Sequence, residues 1–462
     1  MEYYNKIDDR YLNALKQTII RPVFKIELMD FAENIIGELT QDISTEDSGS
    51  ISINYQQGVR RSCSLTLINA NENLKLIEGK YSLGENGLWV DTKFKLYVGI
   101  KVPKFSTVLS QEIDYNKTGE DLLYGDNDSS SLSYRKDTQK TEEDTYWFSQ
   151  GVYLLTDPSV LRDMSKKTIT INGVDKFGVF GSETNFNQTE GTYLIPCDTV
   201  DEQGQIVKTK VGNVIQNILK FDKGNDLPLD VVEPYIDPNT KVLVTEETGE
   251  VPIAQVDLPF EIEKSPETYF GDILIELANI YACDIYYDTE GRLHFEKGNE
   301  QQSMDDFASL WDYSDKETEY FAPQLNYDFK SVYNVVKVIG NNPAEDLYEY
   351  VAKNTDPSSP TRIALIGEKV FPIESSFCYS LERTKDFANY LLRKKSMIPL
   401  TLSFQSSFIP HLDVNKIITI TDDYYKYFQQ RFIIQSLTIP LSTKSLIDVE
   451  CTNAAIIPYF EY

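Results

Sequence analysis

At 462 residues with 41% hydrophobic side chains, the chain is long enough for about three domains, and wholesale disorder is excluded. Its 72 acidic against 44 basic residues give a formal net charge of -28, which excludes a generic nucleic-acid binder, because phosphate backbones are repelled. No apolar run approaches the ~20 residues of a membrane span, and the start MEYYNKIDDR lacks a signal-peptide pattern, so synthesis in the cytoplasm is expected.

The opening segment IDDRYLNALKQTI, residues 7 to 19, predicts a short helix, with Ile7, Tyr11, Leu12, Leu15 and Ile19 at spacings of three and four. Strands then dominate: PVFKIELMD, NIIGELTQDIS, SISINY and RRSCSLTLIN, separated by polar turns, read as an antiparallel meander or barrel. The 30 tyrosines and 23 phenylalanines favour strands in the same sense, since flat rings pack on pleated surfaces. In RRSCSLTLIN, Arg61, Cys63, Leu65 and Leu67 share one side, and Ser62, Ser64 and Thr66 the other. Arg60 and Arg61 at its start read either as solvated or as lying at an edge where an acidic neighbour approaches. LIEGKYSLGENGLW is a turn-rich connection, and FKLYVGIKV is the next strand. The acidic stretch near 104–146 reads as a long solvated loop, with the chain leaving a sheet at about 104 and returning at about 146. YWFSQGVYLLTDPSVLRD and KKTITINGVDKFGVFG then make two strands, with Ile169 and Ile171 facing opposite Thr168 and Thr170.

Residues 184–319 change to an α+β character, and prolines cluster there. VGNVIQNILKF is one amphipathic helix. A second is expected from Ser265 as cap and Pro266 in the first turn to about Cys283, with Tyr269, Ile273, Leu277 and Ile280 on one face. DIYYDTEGRLHF follows as two strands with a tight turn at Asp288 to Gly291. From 320 strands return (APQLNYDF and SVYNVVKVIG), interrupted by a helix in SLERTKDFANYLLRKK, with Leu381, Phe387, Ala388, Leu391 and Leu392 as its stripe. LTLSFQSSF, KIITITD, RFIIQSLTIPL and SLIDVECT close the chain as strands. The expected division is 1–183 (first barrel, acidic insertion near 104–146), 184–319 (α+β module) and 320–462 (second barrel, with a helix-containing insertion near 341–396). The expected fold class is mainly β with α+β modules.

Chemistry-bearing patterns are sparse. His294, in GRLHF, and His411, in FIPHLDV, have no cysteine or second histidine at ligand spacing, so no zinc site is expected. A serine or cysteine triad would have to use one of these two, and GxGxxG, GxxxxGK and GxSxG patterns are absent. Cys63, Cys197, Cys283, Cys378 and Cys451 are scattered, form no CxxC, and read as small buried apolar residues. DNDSSS lacks the glycine and terminal glutamate of a calcium loop. A hydrolase using two carboxylates stays open on composition. A carbohydrate- or receptor-binding module stays open on the 12% aromatic content. No catalytic, cofactor or metal residue is nominated.

Taken in order, VRRSCSLTLIN, FSQGVYLLTDPSV with ITINGVDKFGVF, IYYDTEGRLHF, SVYNVVKVIG, and IPHLDVNKIITITD with RFIIQSLTIPLS resemble the baseplate hub proteins of contractile phage tails and related particles. The same pattern resembles the N-terminal structural part of tail-tip proteins from long non-contractile tails. The resemblance covers roughly 20 to 455. It implies two tail-tube-like β-barrels with α+β modules between or beside them. It also implies a homotrimer that adapts a sixfold tube to a threefold spike, with tail tube protein, central spike and other baseplate proteins as partners. DNA would pass through the channel without specific binding, no cofactor is implied, and the location would be the virion tail. A distal-tail or tail-tip protein of a non-contractile tail is the alternative. In tail-tip relatives a peptidase or fibre region follows, whereas here AAIIPYFEY comes directly after the last strand pattern, and no appended enzyme is expected.

Overall fold

The computed structural model describes residues 3–4, 7–17, 20–39, 49–68, 88, 92–112, 134–157, 159–162, 167–181, 193–200, 203–221, 227–245, 249–258, 260–265, 268–281, 283–297, 308–316, 320–340, 347–375, 378, 380–398, 400–442 and 446–453. For 104–112 and 134–142 it describes the backbone alone. The fold is mainly β. Among the described residues, 15 strands join in one sheet, and five sheets of two or three strands sit apart from it. Its main path runs Tyr320–Tyr327, Leu400–Ser406, Ile447–Asn453, Tyr427–Pro440, Gly49–Asn54, Arg61–Ile68, Lys167–Asp175, Tyr134–Leu155, Lys93–Glu112, Pro22–Met29, Ile35–Glu38.

The sheet is built from both ends of the chain. Gly49–Asn54 pairs antiparallel with Tyr427–Pro440, bringing Ile51 opposite Ile439 and Ile53 opposite Leu437. All four side chains are fully buried. One apolar core follows that seam, from Tyr11 to Cys451. A second core lies in the α+β region, under the helices Val211–Leu219 and Phe270–Ile280 and the hairpin Cys283–Tyr287/Leu293–Lys297. A third joins the helix Leu381–Lys395 to the sheet of Val335–Gly340, Tyr348–Lys353 and Val370–Ser375.

Period-two patterns became strands wherever one side was apolar. Arg61–Ile68 buries Arg61, Cys63, Leu65 and Leu67 and leaves Ser62, Ser64 and Thr66 half-buried. Three expectations change. The helix near the start spans Asp9–Leu15, shorter than 7–19, because Asp8 caps it by accepting from the Tyr11 N–H. The second α+β helix starts at Phe270, not at Ser265. The Ser265 carbonyl instead accepts from the Thr268 backbone and hydroxyl, closing a separate turn ahead of the helix. In Leu381–Lys395, capped by Ser380, Leu381 is exposed and Thr384 takes its place among the buried residues.

The largest change is at 104–146. The flanks are not loop. Lys93–Glu112 and Tyr134–Leu155 form one antiparallel ladder, from Lys93 opposite Leu154 to Glu112 opposite Tyr134. Backbone hydrogen bonds hold such a ladder whatever its side chains, and Thr138, Thr141 and Thr145 suit strand geometry. The acidic stretch between 112 and 134, and all but Leu88 of LIEGKYSLGENGLW, lie outside the described residues.

The turn at Asp288 to Gly291 forms as expected, with Asp288 accepting from the N–H groups of Glu290 and Arg292. Gly291 sits at φ +83°, and a Cβ there would lie 2.7 Å from Cγ2 of Val152. Gly291→Ala is expected to cost about 1–3 kcal/mol through backbone strain and that clash, read as a lower thermal midpoint. An unchanged midpoint would mean that the turn does not press on Val152.

Candidate functional site

Both arginines at the start of Arg61–Ile68 are buried, 3% and 2% exposed, so neither is solvated. Nor do they lie at an edge, because the strand is paired on both sides, with Gly49–Asn54 and Lys167–Asp175. Their backbone N–H groups donate to one oxygen of Asp175, at 2.7 Å and 2.9 Å, and its other oxygen accepts from the Phe177 N–H at 3.1 Å. Burial raises the Asp175 carboxyl to about 6, against these three donors and Arg61, which pull it down.

From this anchor the two side chains diverge. Arg60 lies over the Tyr286 ring at 3.7 Å and the Tyr55 ring at 4.8 Å. It pairs with Asp284 at 3.5 Å and donates to the Gln56 carbonyl at 2.7 Å. Arg61 gives one terminal nitrogen to both oxygens of Asp413, at 2.7 Å and 2.8 Å. Burial disfavours its charge, but the pairing with Asp413 prevails and its pKa is raised. Arg60 thus ties the N-terminal strands to the α+β region, and Arg61 ties them to the C-terminal strands.

A second buried group supports the same junction. Lys176 reaches Asp230 at 2.6 Å, Glu33 at 2.7 Å and the Gly291 carbonyl at 2.9 Å. Lys93 shares Glu33 at 2.7 Å, and the Tyr287 hydroxyl donates to Asp230 at 2.6 Å. Burial and then repulsion from Lys176 lower the Lys93 pKa. Asp230 accepts on both oxygens, and the two lysines share one oxygen of Glu33.

The histidines are far apart in role. His411 takes a hydrogen bond with the Tyr11 hydroxyl through Nδ1 at 2.7 Å, and burial lowers its pKa to about 4. It lines a crevice of about 510 Å3 with Trp147, Phe148 and Gln150. Burial pushes Tyr11 well above its ordinary value, and the pair is a hydrogen bond within the core. His294 lies between the Tyr235 and Tyr286 rings and contacts Asp288 at 3.0 Å and Glu296 at 3.5 Å. Burial opposes its charge, yet the hydrogen bond to Asp288 and the nearby Glu296 carboxylate raise it to about 9. Among the described residues, no three His, Cys, Asp or Glu side chains could hold a metal ion. Cys63, Cys283, Cys378 and Cys451 are buried, Cys197 is partly exposed, and all five are free thiols.

What composition could not place is the exposed aromatic surface. Tyr424 and Phe428 are 85% and 81% exposed at the turn between Ile417–Asp422 and Tyr427–Pro440. Tyr425 and Tyr427 face inward, stacked 5.9 Å apart. The signal was the run DDYYKYF, in which two rings anchor a turn and two are presented. Beside it Tyr327 and Phe329 stack at 6.0 Å and 7°, both exposed.

Two outcomes test the charged junction. Asp413→Ala leaves Arg61 buried without a partner and is expected to cost about 3–5 kcal/mol, with much of the loss recovered in Asp413→Ala/Arg61→Met; equal losses in urea unfolding would remove the pair from the account. His294 keeps its proton in the folded chain up to about pH 9, against 6.5 ordinarily, so its stabilisation is full below pH 6.5 and is lost as pH rises through 9. The stability gap between wild type and His294→Gln should therefore narrow over that window, and a constant gap would contradict the pairing.

No family model and no curated protein matches the sequence. Solved structures do. The tail protein from Neisseria meningitidis MC58 superposes with a TM-score of 0.51 at 8% identity, over 94% of this chain and 98% of that one. The 43 kDa tail protein of prophage MuSo2 from Shewanella oneidensis gives 0.47 at 9% identity, over 93% and 96%. Prophage tail protein gp18 from Listeria monocytogenes EGD-e gives 0.42 at 11% identity, over 93% and 94%. The first of these likenesses runs the length of both chains, and this chain has the mainly β fold of a phage tail protein.

Proposed function

We propose that the chain is a structural baseplate hub of a phage tail or tail-like particle, joining a sixfold tail tube to a threefold central spike. The observation that carries this reading is the single sheet made from both ends of the chain, whose main path ends, among the described residues, at Ile35–Glu38 and Tyr320–Tyr327. A sheet with free edges risks uncontrolled pairing, and a closed ring removes that risk. In this reading segments 1–183 and 320–462 act as tube-like units, and 184–319 as the module between them. Three copies supply six such units around a channel. The net charge of -28 then keeps DNA from adhering to the channel as it passes. The tube protein, the spike and other baseplate proteins are the partners, and the location is the virion tail after synthesis in the host cytoplasm.

The role is structural rather than enzymatic. The buried carboxylates and both histidines are engaged with internal partners, as the Asp175, Asp230 and Asp413 contacts illustrate. A second reading, a receptor- or carbohydrate-binding protein at a tail tip, draws on the exposed Tyr327–Phe329 stack. A distal-tail ring protein is the remaining alternative.

Imaging of the assembled particle decides between them. Three copies on the axis, with residues near 20–183 and 320–455 in pseudo-equivalent positions, are expected. Six copies giving one unit each would indicate a distal-tail ring, and a position off the axis would defeat both. Purified protein is expected to release no fragments from host peptidoglycan. Turnover abolished by one Asp or Glu substitution would overturn the structural role.

A further inference from the structure

Two copies of a chain with a formal charge of -28 repel each other, so they can meet closely only where the local surface is nearly uncharged. The two strands that end the main path of the large sheet, among the described residues, are such places. Tyr320–Tyr327 (YFAPQLNY) carries no charged side chain, and Ile35–Glu38 (IIGE) carries one carboxylate. Both expose apolar groups: Phe321, Tyr327 and the following Phe329 at one edge, Ile35, Ile36 and the preceding Phe31 at the other. The aromatic side is broadened by the 422–427 turn, because the Tyr425 hydroxyl donates to the Pro323 carbonyl at 3.0 Å. Single exposed apolar residues are ordinary, but contiguous groups at a strand edge mark contact surfaces.

Both edges are irregular, and Ile35–Glu38 shifts register against Pro22–Met29 between Ile35 and Gly37. Tyr320–Tyr327 shifts register between Phe321 and Gln324, Ala322 sits at φ 47°, and Pro323 has no N–H to offer. This edge cannot serve along its length as a template for its own copy. Beyond the bulge, Gln324 to Tyr327 leaves four regular residues, the length of Ile35–Glu38. One side is aromatic and the other β-branched, a favourable cross-strand combination.

We propose that the Ile35–Glu38 edge of one copy seats on the Tyr320–Tyr327 edge of the next, head to tail, with Ile35 and Ile36 packed around Tyr327 and Phe329. The contact is heterologous: unlike patches meet on identical chains, so each copy keeps one edge of each kind for its two neighbours. It rests on the reading that copies of this chain come together in a tail, and it names the surface by which they do so.

The test uses assembled particles carrying Ile36→Cys, Tyr327→Cys or both, in a Cys197→Ser background, oxidised and run on a denaturing gel. The double variant is expected to give a ladder of linked chains, and particles with the two single variants mixed are expected to give dimers. Each single variant alone is expected to stay unlinked. Self-linking of Tyr327→Cys alone, or unlinked chains in the double variant, would overturn the contact. Imaging the same particles separates the two claims: a central ring without linkage counts against this contact alone, and an off-axis position counts against the hub.

Discussion

Asp175 holds together what the rest of the molecule needs at one point. Its carboxylate gathers the N–H groups of Arg60, Arg61 and Phe177, fixing where the strand Arg61–Ile68 begins relative to the end of Lys167–Asp175. With the backbone fixed, two adjacent side chains must leave on opposite sides of the strand. One then reaches Asp284 and the other Asp413. A charge buried without a partner would be strongly unfavourable, so each arginine demands that a distant part of the chain arrive with a carboxylate. The strand start is where the three segments are held in register.

The seams between segments differ in kind. Where the N-terminal and C-terminal strands meet, the contact is apolar and laddered, with Ile51, Ile53, Leu437 and Ile439 fully buried. Where the α+β region meets the sheet, the apolar contact of Leu154, Phe177, Val179 and Phe180 is joined by polar ones: Tyr55 to Asp284, Gln57 to the Cys283 carbonyl and the Ile285 N–H, Ser149 to the Thr289 carbonyl, and Lys95 to Glu290. The ladder fixes the register of the first seam, because a one-residue slip would turn its buried side chains outward. At the second seam each polar group must find its own partner, which fixes orientation.

The strands were legible because a half-buried strand writes its period into the sequence, as at Cys63, Leu65 and Leu67. The helix under the third core was legible from Ser380 onward for the same reason, and so was the turn at Gly291. The fold class and the tail-protein likeness followed from such patterns. The inner part of the long ladder was legible in FKLYVGIKV and YWFSQGVYLL, but its extension beyond 104 and before 146 was not, since an acidic, polar stretch there reads as loop. The meaning of Arg60 and Arg61 was hidden for another reason. Asp175 lies 114 residues from Arg61, and Asp413 lies 352 residues away. Pairing over such separations is a property of the folded sheet and leaves no local trace. The aromatic surface at 424–428 failed similarly, because composition counts rings but not the direction each one faces.

The cysteines carry one further consequence. Burial pushes the thiols of Cys63, Cys283, Cys378 and Cys451 upward, Cys283 to about 12, so almost none of them is ionised near neutrality. The thiolate is the form that reacts with oxidants and disulfides, and here it is scarce and shielded. These four thiols therefore resist oxidation and disulfide exchange, and the fold keeps the covalent structure it formed with. Cys197, partly exposed, is the one of the five thiols that an oxidant would reach first.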